Sequence, residues 1–164
     1  EEISAFSDML SRISDNLSVE GLSKKDVMEY INTVAKNDRE KAQRIYAWIG
    51  SNIKYDFNKA EKALSSEGIS NSGSIVAWNN RSGICFDYAC LYVSMSKAVG
   101  LGSRIITGEA YDGQNFGPHA WNQVYLEDEG KWINVDPTFY LSGDYFDNAD
   151  FYKDHLKVYL KISF

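Results

Sequence analysis

The stretch Cys85-Phe86-Asp87-Tyr88-Ala89-Cys90-Leu91-Tyr92-Val93-Ser94-Met95-Ser96-Lys97-Ala98-Val99-Gly100-Leu101-Gly102 changes its period at the end, and that change decides the fold. Cys85, Tyr88, Ala89, Leu91, Tyr92, Met95 and Val99 recur at three and four residues, the stripe of a helix with one buried face. Gly100 and Gly102 stop it. Beyond them the period moves towards two and β-branched and aromatic residues dominate, over Arg104 to Ala110, Ala120 to Leu126, Lys131 to Asp136 and Lys157 to Phe164.

Working back from Cys85, the chain reads helical. Ile3, Phe6, Leu10, Ile13 and Leu17 form one stripe, and Val27, Tyr30, Ile31 and Val34 a second behind Ser23, with Asp26 completing a variant capping box. A third helix follows Asn37-Asp38, with Ala42, Ile45, Ile49 and Ile53 on its stripe and Trp48 bordering it. Residues 56 to 84 are loop-rich, with short helical pieces near Lys59 to Leu64 and Ser74 to Trp78. Helices first and strands afterwards predict an α+β fold with an antiparallel sheet. The expectation is one domain over residues 1–164, helical to about residue 100 and sheet from about 103.

Composition excludes several classes. With 17 basic against 23 acidic residues the net charge is -6, and the basic residues form no stripe, so nucleic acid is not an expected partner. No apolar run approaches the roughly 20 residues needed to span a bilayer. The first residue is Glu1 rather than Met, consistent with a processed or trimmed N-terminus, and a secreted or cell-surface location is expected. Two cysteines make no disulfide framework. On one helix Cys85 and Cys90 would stand about 7.5 Å apart along the axis, beyond the roughly 7 Å limit for a bridge. Both are expected to be free thiols.

The chemistry lies in three blocks. Gly83-Ile84-Cys85-Phe86-Asp87-Tyr88-Ala89, Pro118-His119-Ala120-Trp121 and Trp132-Ile133-Asn134-Val135-Asp136-Pro137-Thr138 supply, in chain order, a thiol, an imidazole and a carboxylate. They make a nucleophile, base and orienter set. The positive end of a helix dipole at Cys85 favours the thiolate. The hairpin after Leu126 turns at Glu127-Asp128-Glu129-Gly130, so Leu126 pairs with Lys131 and antiparallel partners sum to about 257. His119 then faces Thr138, and Asp136 lies one diagonal step away on the same face.

These blocks, with Ile45-Tyr46-Ala47-Trp48-Ile49 and Ile53-Lys54-Tyr55-Asp56 upstream, resemble the transglutaminase-like superfamily over roughly Arg39 to Thr138. The resemblance implies a core similar to papain-type cysteine proteases, with a thiol-led helix against an antiparallel sheet. It implies Cys85 as nucleophile, His119 as base and Asp136 as orienting carboxylate, acting on protein or peptide amides. Members include cross-linking transglutaminases, peptidases, deamidases and copies that have lost catalysis. A non-catalytic protein-binding module is therefore the alternative. No cofactor or metal is expected; Asp144, Asp147 and Asp150 read as a solvated acidic turn rather than a calcium loop.

Other residues in and around these blocks fit plain structural roles as well. Cys90 is expected to pack in the core, and His155, behind Asp154 in a polar stretch, to take a surface or capping role while remaining the fallback base. Asp87 suits the helix dipole. Trp121 and Trp132 share the predicted face of His119 and Asp136, where they wall the cleft or fill the core beneath it, and Trp48 reads as core. The backbone N–H of Cys85 is one oxyanion donor. Tyr55, Trp78, Asn79 and Asn80 are candidates for the second.

Overall fold

The computed structural model describes residues 24–65 and 71–163; the stripe from Ile3 to Leu17 and the Ser23 cap lie outside them. Helices α1 (Lys24–Val34) and α2 (Asp38–Asn52) form where the period predicts them, with Asn37 accepting from the Glu40 N–H at 2.9 Å to cap α2. A short strand β1 (Lys54–Tyr55) and helices α3 (Phe57–Leu64) and α4 (Ser74–Asn80) precede β2 (Ser82–Gly83). β2 pairs in parallel with β1, setting Tyr55 beside Gly83. Helix α5 then runs Cys85–Ala98 and ends at Gly100, whose φ of 83° is the left-handed backbone that a glycine adopts without steric cost.

Strands β3 (Gly102–Tyr111), β4 (Phe116–Leu126), β5 (Lys131–Val135) and β6 (His155–Ser163) make an antiparallel sheet in the order β5-β4-β3-β6. The fold is thus α+β, as the change of period at Gly102 predicts. Two 3-10 turns, Pro137–Ser142 and Phe151–Lys153, lie between β5 and β6.

One sheet face packs on the helices. Ala89 and Val93 of α5 meet Ile105 and Ala120, and the small residues let helix and strand backbones approach closely. Val27, Ile31, Ile45, Trp48, Ile49, Leu91 and Tyr92 join α1, α2 and α5 in the main core with Val124, Leu126, Ile133 and Val135. Each fully buried aliphatic side chain there contributes about 1.5–3 kcal/mol. Hydrogen bonds then fix where α5 sits: Tyr88 donates to the Ile53 carbonyl at 3.0 Å, Tyr92 to that of Ala42 at 2.9 Å, and Asn122 Nδ2 of β4 to that of Ala89 at 3.0 Å. The other face is covered near β6 by a smaller core of Ile106, Trp121 and Phe151. Among the described residues no helix is long and apolar enough to cross a membrane.

Candidate active site

Cys85 is the first residue of α5, after Ile84 in extended backbone. The helix start is held from below by Asp87, which is fully buried. Its Oδ2 accepts from the Ile84 N–H at 2.9 Å and Lys59 Nζ at 2.7 Å, and its Oδ1 from the Gly73 N–H at 2.8 Å. Its place in the first turn predicts only a role toward the helix dipole. The structure makes it the residue that fastens α3 and the Gly73 segment to the thiol's turn. Gly83 is required beside it, because a Cβ there would stand 2.6 Å from the Asp87 Cβ.

β4 carries His119, and Asp136 directly follows the last residue of β5. The observed register runs from Leu126↔Lys131 to Asn122↔Val135, every pair summing to 257. The ladder stops there, so the expected His119 to Thr138 pairing is not made: Pro137 has no N–H to donate and the chain turns into a 3-10 helix. Asp136 becomes its cap, Oδ1 accepting from the Thr138 N–H at 3.2 Å. Parity survives the turn, and Asp136 Oδ2 lies 2.7 Å from His119 Nε2.

With Nε2 committed to Asp136, Nδ1 is the ring nitrogen left to serve the thiol. The imidazole plane is held by Phe139, stacked at 4.6 Å and 14°. Burial opposes its charge, but Asp136 and the nearby Cys85 outweigh that and raise the His119 pKa to about 10. The Asp136 pKa moves the opposite way: burial alone would raise it, and His119 and His155 bring it below its ordinary value. Cys85 and His119 are thus close enough for thiol and imidazole to interact.

Several expectations need correction. His155 is not a surface residue; it is fully buried, and its Nε2 lies 2.6 Å from Asp136 Oδ2. β6 starts two residues earlier than its apolar pattern suggests, at His155, which pairs with Ala110 and so falls on the His119 face. Cys90 is not a core residue: like Cys85 it is a half-buried free thiol, on the margin of the Ala89 cluster. Burial, with the Asp87 charge, pushes its pKa up to about 11. Trp132 neither walls the cleft nor fills the core; it is 40% exposed beneath the Arg104 guanidinium, whereas Trp121 is fully buried between His155 and Phe151.

Of the four upstream oxyanion candidates, Asn79 and Asn80 are exposed at the end of α4, and Trp78 stacks on Trp48 at 5.0 Å with Arg81 over its ring. Tyr55 is close enough to Cys85 to feel its charge; burial first, and then that charge, raise its pKa to about 12, so the phenol keeps its proton.

Among the described residues, His119, Asp136 and His155 are also the group that could hold a metal, their ligand atoms lying within 4.8 Å of one another. Their geometry is that of hydrogen bonds. Both nitrogens lie 2.6–2.7 Å from a single oxygen, whereas donors around a tetrahedral zinc at about 2.0–2.1 Å would stand roughly 3.3 Å apart.

The sequence model of the transglutaminase-like superfamily matches residues 25–137. No curated protein matches. Among solved structures, a crystal structure of a TGase superposes with a TM-score of 0.57 at 18% identity, covering 92% of this chain and 41% of its own. A candidate cysteine protease from Cytophaga hutchinsonii gives a TM-score of 0.46 at 23% identity, covering 76% of this chain and 42% of its own. The chain therefore spans about two-fifths of either neighbour, and the likeness to the TGase concerns the fold alone.

Proposed function

The chain belongs to the transglutaminase-like superfamily, and on that premise we propose that it is a thiol-dependent acyl-transfer enzyme acting on protein or peptide amides. Cys85 is the nucleophile, His119 the base and acid, and Asp136 the orienting carboxylate. One observation carries this reading: His119 is bonded through Nε2 to a buried carboxylate at 2.7 Å while its ring is coupled to the thiol that opens α5.

The steps follow from that geometry. Cys85 Sγ, as thiolate beside imidazolium, forms a bond to the amide carbonyl carbon, and the carbonyl electron pair moves onto oxygen. The Cys85 backbone N–H, at a helix start, is one donor to that oxyanion, and the Tyr55 phenol is the candidate for the second. The intermediate collapses as His119 protonates the departing nitrogen, leaving a thioester on Cys85. Water or a primary amine then gives its proton to His119 and attacks the thioester, expelling the thiolate. Water yields an acid, as in a peptidase or deamidase; an amine yields a new amide, as in a transglutaminase.

The test is incubation with a protein mixture rich in Gln and Lys, followed by mass spectrometry. New termini, Gln-to-Glu conversion and isopeptide bonds identify the three reactions. None of them appearing with wild type, or all persisting in Cys85→Ala, defeats the reading.

A further inference from the structure

His155 is the imidazole that this mechanism leaves unused. It is fully buried, and oxygen acceptors meet both of its ring nitrogens. Nε2 is 2.6 Å from Asp136 Oδ2, and Nδ1 is 2.7 Å from Asp154 Oδ1 and 3.1 Å from the Phe151 carbonyl. A carbonyl and an ionised carboxylate only accept, so the ring acts as a double donor. Packing sets its angle: it stacks on Phe151 at 3.9 Å and 19°, with Trp121 edge-on at 5.0 Å. Asp154 is steadied in turn by the Tyr145 hydroxyl, which donates to Oδ2 at 2.7 Å.

We propose that His155 is a positioning residue, a double donor that ties Asp136 Oδ2 to Asp154 and so fixes the carboxylate that holds His119. The proposal rests on the Cys85, His119 and Asp136 reading. Asp136 is fully buried, and apart from the two imidazoles its carboxylate oxygens receive only the Thr138 N–H at 3.2 Å among the described residues. With one imidazole alone, it could turn about its side-chain bond or take up a proton; the second donor opposes both. The groups facing this carboxylate are His119 of β4, His155 of β6, Tyr46 of α2 and Tyr145, with Cys85 beyond His119 and Asp154 beyond His155.

The experiment follows the rate at which iodoacetamide alkylates Cys85 across pH, which needs no substrate. His155→Gln keeps an amide donor near the position of Nε2, and His155→Phe keeps an aromatic filler without a donor. His155→Phe is expected to slow alkylation at neutral pH about tenfold, as loss of an outer-shell partner does in other sites. It should also move the acid limb to higher pH, because Asp136 then protonates more readily. His155→Gln should restore the rate to within about threefold of wild type. Near-UV circular dichroism reports whether each variant is folded. Should His155→Phe fail to fold, Asp154→Asn decides from the partly exposed end, with a smaller acid-limb shift in the same direction. An unchanged acid limb in folded His155→Phe, or in Asp154→Asn where that variant decides, overturns the proposal; so does a folded His155→Gln as slow as folded His155→Phe. A wild-type Cys85 no faster than Cys90 overturns the site reading and this proposal with it, whereas the variant outcomes overturn this proposal alone.

Discussion

Asn122 Nδ2 donates to the Ala89 carbonyl at 3.0 Å, joining the helix that Cys85 opens to the strand that carries His119. Asn122 is fully buried, and its amide also reaches the Arg104 carbonyl at 3.3 Å. The thiol and the imidazole come from elements 33 residues apart at this bond, so their spacing depends on it. Asn122→Ala removes the hydrogen bond that ties strand to helix, a net loss of about 0.5–1.5 kcal/mol. Denaturant titration should show that loss, and alkylation of Cys85 at neutral pH should slow as helix and strand part. Full stability would place the anchoring elsewhere.

The thiols can be told apart by chemistry although both are half-buried. Burial and the Asp87 charge lift the Cys90 pKa to about 11, so about one Cys90 in ten thousand is thiolate at pH 7. Cys85 has the imidazole as neighbour. Peptide mapping after brief iodoacetamide treatment should find Cys85 modified far ahead of Cys90; equal labelling would remove the nucleophile assignment.

Stability should depend on pH through the His119 and Asp136 pair. His119 rises from its ordinary 6.5 to about 10 when folded, so its contribution is complete below about 6.5 and is lost as pH climbs through about 10. Asp136 falls below its ordinary 3.8, so its contribution is complete above about 4 and is lost on acidification through the folded value. Melting temperature should therefore be highest between about pH 4 and 6.5 and fall toward pH 10. In Asp136→Asn the alkaline fall should flatten. A wild-type curve rising from pH 6.5 to 10 would contradict the pairing.

Asp87 makes a separate prediction about the thiol's support. Asp87→Ala removes three accepted hydrogen bonds and strands Lys59, whose side chain is 14% exposed. Breaking a largely buried pair this way costs about 3–5 kcal/mol. Cys85→Ala, by contrast, should leave the unfolding midpoint nearly unchanged while abolishing turnover. If Cys85→Ala retained full biological effect, the chain would be a binding module on this fold.

The two-histidine, one-carboxylate cluster should behave as a hydrogen-bonded group. Treatment with a strong chelator is expected to leave both melting temperature and the Cys85 alkylation rate unchanged. Loss of either with recovery on adding zinc would make the cluster a metal centre.

Local pattern carried much of this architecture. The helical stripe from Cys85 to Val99 and the loss of that period past Gly102 mark the helix and the sheet, because side-chain alternation follows backbone geometry residue by residue. The β4–β5 register was legible for the same reason: a short turn fixes which residues oppose each other, and parity then put Asp136 on the face of His119. His155, Asp87 and Asn122 could not be read in that way. His155 lies 19 residues from Asp136 and reaches it because β6 pairs with β3, a choice made by the whole sheet rather than by any nearby turn. Asp87 looked like one more acid in a first turn until Lys59 and Gly73 closed on it from 28 and 14 residues upstream. Cys85, His119 and Asp136 were therefore written in sequence as residue types at ordered positions. Their support was decided in the tertiary structure, where burial removes water as a partner and makes each polar group find another within the fold.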